Sequence, residues 1–302
     1  MLVEQIMNAI LLGCTYTLVA IGFSLFFGVL DVVVFCSGDI AIFGAFSIMG
    51  AYMLVAGVDS ALPMPVLALL MAVIAALLCA AFGMLTYYVS IKPFEKSSPL
   101  MPLLSTIALG MVIREGLGNF FPKGRNPQAF PDLVSNGALG DTMLFSFRNL
   151  FIISVTVVIL LLLFTFLNKT KMGQSMQAIA QNKELAYMTG INIRRTVSVT
   201  FLLGGVLLSL AGFLIGAYYG VLRFDGGSMY GIKGFSAAVV GGLRSIYGAV
   251  VGGMLLGFIE VFVAGYIRGG TAFASAIAFV VVVVFMVLKP EGILGEKTVE
   301  KV

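Results

Sequence analysis

Side chains able to do chemistry are scarce in this chain, and the scarcity narrows the function. The 302 residues include no His, and so lack the commonest general base and transition-metal ligand. Cys14, Cys36 and Cys79 form no CxxC pair, and thiols in apolar runs, as Cys14 and Cys79 are, read as buried and inert. Glu260, within Gly257-Phe258-Ile259-Glu260-Val261-Phe262-Val263, is the clearest ionisable residue inside an apolar stretch. A charge at that depth costs ~2.5–3.5 kcal/mol on insertion scales, so Glu260 is expected to face a bundle interior or water, or to be protonated. Hydrogen-bonded packing and a place on a solute path both fit it. Arg114 and Glu115 are sequence neighbours, which do not face each other on a helix. For them interfacial snorkelling is expected. No GxxxxGK[ST] motif occurs, so ATP hydrolysis by this chain is not expected, nor is any catalytic residue, metal site or bound cofactor.

The elements that must position these residues are membrane helices. The chain is 60% hydrophobic and 11% charged, against roughly 25% charged in soluble proteins. A helix needs about 20 apolar residues to cross a ~30 Å hydrocarbon core. Apolar runs bounded by charge, Pro or Gly fall at 6–30, 40–56, 65–91, 100–117, 150–167, 197–222, 249–266 and 272–288. The first lacks a positive n-region and a cleavage site and reads as a retained span. The fold class is therefore all-α integral membrane: a polytopic helical bundle of about eight spans plus short broken or re-entrant helices, as a single domain over 1–302. Residues 119–149, rich in Pro and Gly, read as an extramembrane loop holding a short helix or hairpin.

Charge sets the orientation. Lys169, Lys171, Lys183, Arg194 and Arg195 cluster in the loop 168–195, which the positive-inside rule places in the cytoplasm. Counting back puts the loop 92–99 inside and the N-terminus outside. Counting forward leaves the tail with Lys289, Lys297 and Lys301 outside unless something further crosses. The candidate is 231–242, Gly-Ile-Lys-Gly-Phe-Ser-Ala-Ala-Val-Val-Gly-Gly, too short to span alone. Broken helices of this kind are tolerated where they line an enclosed cavity. A comparable feature lies where Asp31 and Asp39 bracket residues 32–38. Phe35-Cys36-Ser37-Gly38-Asp39 and Gly234-Phe235-Ser236-Ala237 are either halves of an internal repeat or a chance likeness. The net charge of +4 belongs to these loops and implies no nucleic-acid partner.

Within the basic loop, Met176, Ile179 and Ala180 recur at helical spacing, as do Tyr187 and Met188, and Gly190 is placed to end a helix. Such an amphipathic segment either docks into a groove on a partner or lies on the lipid surface. Gly212, Gly216 and Gly220, and Gly248, Gly252, Gly253 and Gly257, have the spacing that lets helices approach closely, and packing is their expected role.

The loop from Gly173 to Asn192 resembles the cytoplasmic coupling segment of permease subunits of branched-chain amino-acid ABC importers, matching at Ala178, Asn182, Ala186, Gly190, Ile191 and Asn192. Gly22 to Leu30 with Gly38-Asp39, and Gly234-Phe235 through Gly253, are similar to two further blocks of that family. Val34, Cys36 and Ser37 stand where the family usually has Asn, Ala and His, and Gln177 where an Arg is common.

The resemblance implies an ATP-driven importer subunit for branched-chain or related amino acids, amides or urea, in a bacterial or archaeal cytoplasmic (inner) membrane. It implies two ATP-binding subunits carrying ATP and Mg, a second homologous permease as heterodimer partner, and an extracytoplasmic solute-binding protein. Ala178, Asn182, Glu184, Ala186, Gly190, Ile191 and Asn192 become ATPase-coupling residues, and Ser37, Gly38, Asp39, Phe235, Ser236, Gly241, Gly242 and Glu260 the substrate path. The alternative is a secondary transporter or channel, which would need ion-coupling carboxylates or a pore ring.

Overall fold

Inside hydrocarbon every backbone N–H and C=O must find its partner within the protein, and long apolar runs do so as helices. The computed structural model describes residues 2–56, 64–95, 97–131, 146–267, 270–289 and 291–295. Seven helices among them have the length and hydropathy of a span: α1 (Leu2–Leu30), α2 (Ser37–Ala56), α3 (Met64–Thr86), α4 (Leu100–Phe120), α5 (Phe147–Lys169), α8 (Ile193–Tyr219) and α10 (Ile246–Tyr266). The expected eighth is α11 (Gly270–Leu288), a slightly shorter apolar helix. The basic loop folds as α6 (Lys171–Gln181) and α7 (Lys183–Met188), and the broken segment as α9 (Gly226–Gly241). The tail lysines Lys297 and Lys301, and residues 132–145 of the long loop, lie outside the described residues.

α1 is apolar on all sides, the pattern of a helix buried on all sides, and it is enclosed from Ala9 to Val29 by α8, α9 and α10, with α5 and α6 at its edge. α3, α4, α5 and α11 lie outside and expose Leu77, Leu104, Leu162 and Val283, as lipid-facing surfaces do. Close approach at the centre depends on glycine. On α10 the two sides divide the work: Gly248 and Gly252 leave room for the α9 backbone at Gly241 and Ala237, and Gly253 and Gly257 for α1 at Thr17 and Gly13. Gly212 on α8 admits the backbone of α2 at Ala41. Gly220 departs from the expected stripe. It has φ +67°, meets nothing a methyl group would touch, and caps α8 instead.

The described part of the 119–149 loop forms a two-residue strand, β1 (Gln128–Ala129), rather than a local hairpin. It pairs antiparallel with β2 (Val221–Leu222), the non-helical lead-in to α9, and Phe130 N–H donates to Gly220 C=O at 2.9 Å. A distant loop thus supplies the hydrogen bonds that β2 cannot make within a helix.

One end of the bundle is marked by contacts to the basic loop. Arg244, just after α9, donates to Ala180 C=O on α6 and to Asp31, just after α1. The tail at Ile293 and Leu294 donates to the last carbonyls of α9, Val240 and Gly241. α9 therefore ends on the same side as the basic loop and the start of the tail.

Candidate functional site

Two helices begin away from the bundle's ends, and their first turns meet. After α1 the chain runs non-helically through 31–36, with Asp31 at φ +57°, before α2 starts at Ser37. α9 starts at Gly226 after β2, and its 16 residues span about 24 Å at ~1.5 Å per residue, short of the membrane core. A methyl group on Gly38 would strike Gly227 and Gly231, so the start of α2 rests directly on α9. Ser37 Oγ turns back to Val34 C=O at 2.6 Å. Phe235, half-buried on α9, lies with its ring 5.5 Å from Phe35 and 5.9 Å from Phe23, and Ser236 beside it is buried. These path candidates are brought together. Gly241 and Gly242 are not among them, since they end α9 at the side of the basic loop, where Gly242 adopts φ +110° against Gly295 and Glu291.

Asp39, in the first turn of α2, accepts two hydrogen bonds from Arg114 of α4: Nε to Oδ1 at 3.2 Å and Nη2 to Oδ2 at 3.3 Å. This corrects the snorkelling expected of Arg114. Its guanidinium is drawn inward because Asp39, 5% exposed, has no water to solvate its charge. The carboxylate also gains from the positive end of the α2 dipole. Gly110 on α4 and Gly227 on α9 leave the space it occupies.

Glu260 faces the interior, not lipid. Its Oε1 accepts from Lys233 Nζ at 2.5 Å and Ser275 Oγ at 3.0 Å, and its Oε2 accepts from Tyr16 Oη at 2.7 Å. Lys233 also donates to Tyr16 at 2.9 Å. The knot joins α1, α9, α10 and α11. Lys233 was not singled out from the sequence, although the signal was there: a cation inside a short apolar segment requires an anion at the same depth.

In the basic loop, several of the residues expected to serve in coupling have a structural task. Asn182 Oδ1 caps α7 by accepting from the N–H groups of Glu184 (3.0 Å) and Leu185 (3.1 Å), and Asn192 Oδ1 caps α8 through Arg195 N–H (3.1 Å). Gly190, at φ +84°, ends α7, and Ile191 N–H donates back to Ala186 C=O. Gln177 ties α6 to the end of α5 through Leu167 C=O and Asn168. The apolar side of α6 does not point outward: Met176 and Ile179 are buried in the bundle, Ala178 is half-buried, and Ala186 on α7 is buried. The outward apolar surface is instead Leu185, Tyr187 and Met188 on α7, beside exposed Glu184.

A family-wide sequence profile described as branched-chain amino acid transport system, permease component, matches residues 5–287. The chain belongs to this permease family. The high-affinity branched-chain amino acid transport system permease protein BraD of Pseudomonas aeruginosa is 31% identical to it over 306 residues, covering 99% of this permease and 97% of BraD. LivH of Escherichia coli K12, a high-affinity branched-chain amino acid transport system permease protein, is 30% identical over 307 residues with the same coverages. A solved chain titled PsaBC from Streptococcus pneumoniae in complex with Fab covers 94% of the permease and is itself covered to 91%, at 15% identity and TM-score 0.48, a likeness that carries no argument. The permease is thus a multi-pass transport subunit.

Proposed function

We propose that this permease is a membrane-spanning subunit of an ATP-driven importer of branched-chain amino acids in a bacterial or archaeal cytoplasmic membrane. It works with two ATP-binding subunits that hold ATP and Mg, a second homologous permease, and an extracytoplasmic solute-binding protein. The observation that carries the reading is the α7 surface. Leu185, Tyr187 and Met188 are 57%, 71% and 79% exposed on a short helix capped at both ends, within the basic loop. A rigid apolar knob outside the membrane needs a protein to cover it. Full-length relatives named as branched-chain permeases support the substrate class.

The residues that depart from the family pattern leave that class in place. Val34, Cys36 and Ser37 are fully buried, and Ser37 and Cys36 face Val34 C=O and Thr86. They alter packing around the start of α2. The secondary-transporter alternative is not favoured by the full-length relatives, which are named as permease proteins of branched-chain amino acid transport systems.

The test is Tyr187→Ala/Met188→Ala in the reconstituted importer. Both side chains are exposed, so insertion and thermal stability should be unchanged. ATP-binding subunits should no longer co-purify, and ATP-dependent leucine uptake should fall by about ten-fold or more, as expected for loss of two interface anchors. Unchanged co-purification and uptake would refute the assignment of α7 as the docking knob.

A further inference from the structure

The Lys233–Glu260 pair is an expensive way to hold helices together. Burying two ions repays their desolvation only in excellent geometry, and a well-packed apolar pair is often equally stable. The helices concerned are already joined without it, α10 to α1 and α9 through the glycine contacts at Gly13, Gly253 and Gly257 and at Gly241, Gly248 and Gly252. Three features give the pair a different role. Lys233 sits on α9, the helix with a non-helical lead-in, and such backbone marks solute sites in transporters. Hydrogen bonds to Tyr16 and Glu260 use two of the three ammonium protons, and Glu260 is the more open partner, 12% exposed against 4%. A run of phenols also leads outward. Tyr219 lies within electrostatic reach of Tyr16, its ring is 5.7 Å from that of Tyr230, and it is 41% exposed.

We propose that Lys233 and Glu260 form the charge-selective station of the transport path. The pair opens to a zwitterionic α-amino acid, Lys233 Nζ taking its carboxylate and Glu260 its ammonium, and closes again behind it. A zwitterion replaces both lost partners at once, so neither buried ion is left unmatched. A simple amine or carboxylic acid of the same side chain matches only one of them and is rejected. This station rests on the amino-acid importer reading above.

The experiment uses the complete importer in proteoliposomes with its binding protein, ATP inside and labelled leucine outside. Lys233→Met/Glu260→Leu removes both charges together and strands neither. It should assemble with a thermal midpoint close to wild type, yet import leucine about a hundred-fold more slowly, the loss of two charge-assisted contacts each worth about ten-fold or more. Import close to wild type would overturn the station. So would failure to assemble, because a pair that opens in every cycle cannot be what holds the bundle. A wild-type complex that imports no amino acid overturns the importer reading itself, whereas an active wild type with an equally active double variant removes the station alone.

Discussion

Replacing Arg114 with Met would strand Asp39. The carboxylate is 5% exposed and receives both of its side-chain hydrogen bonds from the one guanidinium, at 3.2 and 3.3 Å. Breaking a buried pair by removing one partner costs about 3–5 kcal/mol. Two features of this site place the loss at the lower end. Arg114 is itself 25% exposed, so the pair is only partly desolvated, and Asp39 keeps the favourable end of the α2 dipole, worth about 0.3–1 kcal/mol. Arg114→Met should therefore destabilise the permease by about 3 kcal/mol. Asp39→Asn should cost less, about 1 kcal/mol, because the freed guanidinium can extend its long side chain toward water. In the double variant neither ion is left alone, and stability should return to within about 1 kcal/mol of wild type, a coupling energy of about 3–4 kcal/mol. The assay is a double-mutant cycle on the purified permease, unfolded with SDS in mixed micelles and followed by circular dichroism. Simple addition of the two single losses, or an Arg114→Met loss below about 0.5 kcal/mol, would refute a buried, coupled pair.

Further outcomes follow from single contacts. Gly253→Ala places a methyl group 2.5 Å from the Thr17 backbone and should cost about 1–3 kcal/mol, whereas Gly116→Ala on α4, with nothing within 4 Å, should be neutral or stabilising by up to about 1 kcal/mol; equal effects in thermal denaturation would sink the packing argument. Asn182→Ala removes the cap from α7 and should cost about 0.5–2 kcal/mol locally, seen as faster amide exchange at Glu184 and Leu185 with α8 unaffected; unchanged exchange would show the cap to be idle. Arg244→Ala breaks an exposed ion pair and should change thermal stability by less than about 1 kcal/mol, yet raise the ATP consumed per leucine imported; an unchanged ratio would refute a transmitting role.

Local pattern made the spans legible because lipid imposes the same demand on each of them. Every run of about 20 apolar residues had to become a helix, and charge placement singled out residues 231–242 as a further element, within what folds as α9. Pairings between distant residues were not legible in the same way. Arg114 has Glu115 beside it in sequence, and its true partner, Asp39, lies 75 residues away. Periodicity marked an apolar side on α6 but could not say what covers it. Met176 and Ile179 turn inward because α1, α5 and α8 are within reach of that side, leaving the outward apolar surface to α7. Gly220 matched the spacing of a packing stripe and serves as a cap, since spacing carries no information about φ.

The placement of Arg244 joins the basic loop to the helix bundle. Its guanidinium touches the end of α6 at Ala180 and the end of α1 at Asp31, while its backbone directly follows α9. Asp31 opens the non-helical segment that leads to α2, and α9 carries Lys233. A displacement of α6 and α7 by an ATP-binding partner would therefore reach both broken helices through one side chain. Each broken helix holds one ion of a buried pair, Asp39 on α2 and Lys233 on α9, and the opposite ions sit on the unbroken helices α4 and α10. Moving the broken helices against the unbroken ones would strain both pairs together. Under the proposed importer reading the two pairs would therefore open and close together, the kind of two-state element that alternating access uses.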